Sequence, residues 1–134
     1  MRKEFEQLIE WSLEKHRDIP WRKQRSMYVT LVSEIMLQQT TVATVRNKFA
    51  SFLKTFPTLQ DLSKASDADL RVAWKGLGYY RRCRNLKAAA DVLISQHQGQ
   101  FPQSEEELLK IPGIGSYTAG ALLAIGMDHP ALAI

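Results

Sequence analysis

Apolar residues recur three or four positions apart along almost all of this chain, as in Phe5, Leu8, Ile9 and Leu13, and no stretch alternates at period two for long. That single regularity predicts an all-α fold. Turn and capping signals cut the pattern into short pieces. Ser26 is placed to cap a helix running to about Gln38, and a second helix should run from about Thr41 to Thr55, where Phe56-Pro57 stops it. Thr58 and Ser66 read as caps of two short helices, the second ending near Trp74 before the break at Gly76-Leu77-Gly78. A longer helix is expected over about Tyr80 to Gln96. Ser104 with Glu107 forms a capping box for a short helix to about Lys110, and a last helix follows Pro112-Gly113-Ile114-Gly115 and runs to about Gly126. Many short helices joined by tight turns describe an irregular bundle, not a coiled coil.

With 134 residues, 45% of them hydrophobic, the chain suits one domain with a single compact core. A formal net charge of +4 favours an anionic partner but fits many proteins that have none. Cys83 is the only cysteine, so neither an internal disulfide nor a cysteine-built zinc or iron–sulfur site can form within this sequence, and a reducing, cytoplasmic setting is expected. The start, MRKEFEQLIEWSLEK, lacks the continuous apolar run of a signal peptide or membrane span.

The strongest local signal is LLKIPGIGSYTAG, residues 108 to 120. A short helix, a turn with a proline and two glycines, and a helix with a small, polar first turn make a helix-hairpin-helix over about 104–126. Gly113 and Gly115 would take positive φ and remove side-chain bulk, so that amides around Ser116 meet a phosphate directly, whatever the DNA sequence. An ordinary αα-turn also uses glycine, and the glycines alone do not separate the two readings.

Between Arg25 and Arg46 the twenty residues SMYVTLVSEIMLQQTTVATV contain one charged side chain, Glu34. A carboxylate among Leu31, Val32, Ile35 and Leu37 should be partly desolvated, which suits it to hold a proton for delivery; a buried Glu paired with an arginine or capping a neighbouring helix would read the same way. Gln38 and Gln39 follow, uncharged amides able to insert among bases or simply to end a helix. From Arg71 to Ala90 the charges are Arg71, Lys75, Arg81, Arg82, Arg84 and Lys87, with no acid between them. Three of these arginines crowd the start of a predicted helix, where the macrodipole disfavours cations, so a phosphate backbone explains them better than helix stability does; a solvated basic face is the alternative. Beside them Gly76-Leu77-Gly78-Tyr79-Tyr80 presents two rings for stacking on bases or for the core.

SEIMLQQT, GLGYYRRCRN and IPGIGSYTAGA stand in the order and spacing of the helix-hairpin-helix DNA glycosylases, and with IPWR, FPT and GQFP they resemble the MutY family of adenine DNA glycosylases over nearly the whole chain. The resemblance implies a six-helix barrel domain over 19–134, preceded by a helix over 1–18 that packs on carboxy-terminal parts of the family's fold. It implies base excision repair of adenine opposite 8-oxoguanine or guanine, on double-stranded DNA, in a bacterial cytoplasm and associated with the nucleoid. Relatives like endonuclease III carry a lysine that attacks the sugar where this chain has Tyr117, so a monofunctional glycosylase without lyase activity is implied. By the same resemblance Glu34 is the general acid; Arg17, Trp21, Arg22, Leu37, Gln39, Val42 and Tyr117 surround the extruded adenine; and Gln38 and Tyr79 probe the opposite site. Gly113, Gly115, Ser116, Arg81, Arg82 and Arg84 would meet the DNA backbone, and the carbonyls of Leu109, Ile111 and Ile114 would hold sodium or potassium.

In the family the run matching HPALAI continues into D-G-N-V, whose aspartate is the second catalytic carboxylate; it would follow Ile134, and Asp128 falls too early to replace it. The 4Fe-4S cluster and the domain that recognises 8-oxoguanine belong to the same later part. The resemblance therefore leads us to expect little excision by these residues alone, and self-association through the apolar face of Phe5, Leu8, Ile9 and Trp11. A non-catalytic module that grips duplex DNA through the hairpin and the basic 71–87 stretch is the reading from another class; it predicts binding that weakens with salt and ignores mismatches.

Overall fold

A computed structural model describes residues 22–38 and 40–126, with side chains from Met27 to Ala124. Among the described residues there are seven helices and no strand: α1 (Arg22–Leu37), α2 (Val42–Thr55), α3 (Leu59–Lys64), α4 (Asp67–Trp74), α5 (Arg81–His97), α6 (Glu105–Leu109) and α7 (Ser116–Gly126). The all-helical expectation is met. None of the described helices is long and apolar enough to cross a membrane. The helix expected over 1–18, together with Arg17, Trp21, Gln39 and Asp128, lies outside the described residues.

Four helix starts follow directly from side-chain chemistry. Thr41, Thr58, Ser66 and Ser104 have extended backbones, and each hydroxyl accepts the amide three residues on, from Thr44 at 3.3 Å, Asp61 at 3.2 Å, Asp69 at 3.0 Å and Glu107 at 3.2 Å. Each such cap satisfies a donor that the helix leaves open and is worth about 1 kcal/mol. Acids in the first turns of α3, α4 and α6 add a favourable dipole term. One expected cap is corrected: Ser26 lies a turn inside α1, which already begins at Arg22. Lys23, Gln24 and Arg25 are good helix formers, so nothing in them makes the helix wait for a cap.

The core is built around α1. Every residue from Met27 to Met36 is buried, including the polar Thr30, Ser33 and Glu34, because α1 packs against α2, α5 and α7 and has no solvated face over this stretch. Around it α2 rests on α4, α3 on α5 and α6 on α7. Phe52 makes edge contacts with Phe56 at 5.1 Å and Trp74 at 5.9 Å, and the buried Tyr28 hydroxyl donates to the Phe56 carbonyl at 2.5 Å, tying the end of α2 to α1. The ends of α1, α4 and α6 thus carry the loops that hold the candidate functional residues.

Candidate nucleic-acid interface

Glu34 sits one turn from the end of α1 and is only 5% exposed. Its helix neighbours Val32, Ser33, Ile35 and Met36 are buried with it, and the Ser33 hydroxyl is turned to the Thr30 carbonyl at 2.8 Å. Beyond it the chain emerges: Leu37 is half-buried, Gln38 exposed and Thr40 half-buried before α2 begins with the buried Val42. Arg22 opens α1, and Tyr117 lies in the first turn of α7 with 67% of its surface exposed. The helix that carries the buried acid and the helix that carries Tyr117 are packed against each other.

Between α4 and α5 the backbone is forced into an unusual course. Gly76 and Gly78 have φ of +94° and +73°, and between them and α5 Tyr79 holds φ of +47°, a left-handed conformation that a bulky residue adopts at some cost. Its ring is 65% exposed. Contacts from both flanking helices hold the loop, among them the Trp74 indole Nε1 donating to the Gly78 carbonyl at 3.0 Å and the Arg82 amide donating to the Tyr79 carbonyl at 2.9 Å.

Arg82 is the largest departure from expectation. Placed by sequence on the DNA backbone, it is 7% exposed and its guanidinium faces inward. Nη1 donates to the carbonyls of Ile35 and Met36 at 3.0 Å each and to that of Gln38; Nη2 donates to the Thr40 hydroxyl at 2.9 Å and to the carbonyls of Leu77 and Gly78 at 3.2 and 3.3 Å. The group also lies over the rings of Tyr79 at 5.5 Å and Trp74 at 5.7 Å. Burial holds its pKa below the ordinary arginine value, with the nearby Tyr79 acting the other way. The reason is topological: α5 packs on α1, which turns the first-turn position 82 towards the carbonyl end of α1.

The cationic run is also less uniform than its sequence. Arg71 pairs with Asp67 at 2.8 Å, and Lys87 donates to the Ser63 carbonyl at 2.8 Å and reaches Asp91 at 3.3 Å, acids from just outside the run. The Tyr80 hydroxyl donates to Asp67 at 2.9 Å while Arg71 and Arg84 lie over its ring at 4.3 and 5.9 Å. The Arg71 and Tyr80 hydrogen bonds lower the Asp67 pKa. Burial, then the bond to Asp67, pushes Tyr80 up to about 12. Arg81, Arg84 and Lys75 are exposed.

In the hairpin the two glycines differ. Gly113 has φ of +81°, and a Cβ there would stand 3.3 Å from the Asn85 Cβ, so α5 backs the turn closely. Gly115, expected to share the positive φ, does not; a Cβ there would meet open space. Its place in front of α7 needs emptiness, not a special backbone. The first bond of α7 runs from the Ala119 amide to the Gly115 carbonyl at 2.8 Å, which leaves the amides of 116–118 outside the helix's own ladder. Ser116 is exposed, Ile111 and Ile114 anchor the turn in the core, and Leu109 is exposed. Sequence reasoning missed two partners of these loops, Thr40 and Asn85. The signal available was register: Arg82 and Asn85 are three apart on α5 and share a face.

The chain is similar to known proteins over most of its length. Residues 32–129 match the family described as HhH-GPD superfamily base excision DNA repair protein. An adenine DNA glycosylase of Buchnera aphidicola subsp. Schizaphis graminum is 39% identical over 127 residues, covering 93% of this chain and 37% of that protein. The chain thus spans little more than a third of that relative's length. A thermostable thymine-DNA glycosylase structure superposes with a TM-score of 0.73 at 30% identity, covering 96% of this chain and 60% of that one. A trapped endonuclease III–DNA covalent intermediate shares the fold, with a TM-score of 0.68 at 22% identity over 93% of this chain and 62% of that one. With its hairpin and its buried acid inside the matched segment, the chain belongs to the HhH-GPD superfamily of base excision DNA repair proteins.

Proposed function

We propose that this chain forms the base-flipping and strand-gripping part of a monofunctional adenine DNA glycosylase that acts on adenine opposite 8-oxoguanine or guanine. The observation that carries the reading is Glu34: a carboxylate 5% exposed, in the helix that leads straight out to the exposed Gln38. A general acid needs a fixed position beside the base it protonates, and a carboxylate packed among the buried residues of α1 has one. Glu34 donates its proton to the extruded adenine; the base–sugar bond breaks with its electron pair passing to the base, and the sugar takes on oxocarbenium character until water adds. Tyr117, a phenol, forms no Schiff base, so the strand stays intact. Gln38 and Tyr79 enter the duplex at the opposite base, and the amides of 116–118 hold a phosphate. The 39% identity with an adenine DNA glycosylase supports the adenine part of the reading, and the match to base excision DNA repair proteins supports action on DNA.

A monovalent cation suits the hairpin carbonyls of Leu109, Ile111 and Ile114. These are neutral oxygen donors in a tight turn, closed by the Ile114 amide on the Ile111 carbonyl at 3.2 Å, which uses one lone pair and leaves another. Sodium or potassium there would supply positive charge beside the gripped phosphate.

Single-turnover adenine release from an adenine:8-oxoguanine duplex tests the proposal, on this chain and on one extended past Ile134. We expect the extended form to release adenine without strand cleavage, and Glu34→Gln to slow it at least about a hundredfold. Undiminished release by E34Q would overturn the assignment of the acid, and strand cleavage would overturn the monofunctional reading.

A further inference from the structure

The two loops that carry Gln38 and Tyr79 belong to different helices, yet one buried side chain bonds both. Nη1 of Arg82 serves only the α1 side, the carbonyls of Ile35, Met36 and Gln38, while Nη2 spans the gap, from the Thr40 hydroxyl to the Leu77 and Gly78 carbonyls. Burying a guanidinium is costly unless its donors are met, and here Nε is buried without a partner, whereas apolar side chains commonly fill such a space at no loss of stability. The first turn of α5 is also a poor place for a cation, but the carbonyl end of α1 is a good one. The arrangement therefore serves the joint between the loops better than it serves either helix.

We propose that Arg82 is a positioning residue that locks the loop around Gln38 and Thr40 to the loop of 76–80, so that Gln38 and Tyr79 meet a mismatched duplex as one preset pair. The proposal rests on the adenine-mismatch reading for its binding consequence and on geometry alone for the locking. A planar fork fits this joint because acceptors from two loops lie around its two terminal nitrogens, whereas a lysine ammonium is a single point that reaches one cluster or the other. The strained φ of Tyr79 at +47° is then kept by bonds on both sides of it, to the Gly78 carbonyl from Trp74 and Arg82 and to the Tyr79 carbonyl from the Arg82 amide.

Two measurements on the whole chain test this. The first is hydrogen exchange of segments 35–38 and 76–80. Arg82→Lys should speed exchange in both while α3 and α6 keep their protection; unchanged exchange in both segments would overturn the proposal. The second is equilibrium binding to an adenine:8-oxoguanine duplex and to its fully paired counterpart. R82K should lower the preference for the mismatch about tenfold while affinity for the paired duplex stays within about twofold. A preference that survives loosened loops, or an equal loss on both duplexes, would overturn it. Should the unaltered chain show no mismatch preference, the adenine-mismatch reading fails, and exchange alone still decides the locking. Should R82K not fold, Thr40→Val removes one acceptor on the α1 side. It should speed exchange across the gap, in 76–80, and a response confined to its own loop would sink the idea.

Discussion

At the scale of single residues, burial and backbone angle separate side chains that look alike in the sequence. Tyr79 and Tyr80 are neighbours, but Tyr80 is half-buried and bonded to Asp67, whereas Tyr79 is exposed and strained. Little of the fold's stability therefore depends on the Tyr79 ring. Tyr79→Asn should exchange a residue that resists the left-handed region for one that tolerates it, offsetting the lost contact with Arg82. We expect its thermal midpoint within a few degrees of the unaltered chain, because the net change is about 0.5 kcal/mol. Binding to a mismatched duplex should weaken about tenfold or more, as base–aromatic stacking is worth roughly 1–3 kcal/mol. A variant that melts normally and keeps its mismatch affinity would remove Tyr79 from the interface. Glu34 was legible at this scale, since it is the one charge between Arg25 and Arg46 and most of its neighbours along α1 are apolar. Arg82 was not: all but two of its acceptors lie more than 40 residues away, and only the packing of α5 on α1 sets its direction.

At the scale of elements, what was readable was what neighbours in sequence decide. The hydroxyl caps at 41, 58, 66 and 104 bond to amides three residues away, so their helices begin where the pattern predicts. The hairpin was readable as a motif but not in its division of labour, because the tight neighbour of Gly113 is Asn85 on another helix. That division makes a paired prediction. Gly113→Ala combines a positive φ with a Cβ 3.3 Å from Asn85, and should cost about 2 kcal/mol in a denaturant melt. Gly115→Ala meets open space at an ordinary φ, so its stability should change by less than about 0.5 kcal/mol. If the amides of 116–118 hold a phosphate, the added methyl of G115A should nevertheless weaken duplex binding several-fold at low salt. A stable G115A that binds like the unaltered chain would take the hairpin out of the DNA contact.

At the scale of the whole molecule, α5 joins the parts. It packs on α1 and α3, its first turn holds the loops through Arg82, and Asn85 backs the hairpin. Two titratable groups at its start report on that packing. Burial pushes the Cys83 thiol up to about 12 from an ordinary 9.0, and Tyr80 is pushed up to about 12 from 10.0. In both cases the folded chain holds the proton more tightly than the unfolded one. Their contribution to stability is thus whole below about pH 9 and is lost as the pH climbs towards about 12. Thermal midpoints should fall steadily across that window. The general growth of negative charge acts in the same direction, so the comparison that isolates the thiol is with Cys83→Ala. That variant should start lower, because it leaves a small cavity, yet lose less stability between pH 9 and 12 than the unaltered chain. Alkylation gives an independent check. Cys83 is fully buried, so a thiol reagent at pH 8 should label it at the rate of unfolding and no faster. Parallel pH slopes for the two proteins, or rapid labelling of the folded chain, would mean that the start of α5 opens on its own, and then Arg82 could not hold the two loops at a fixed separation.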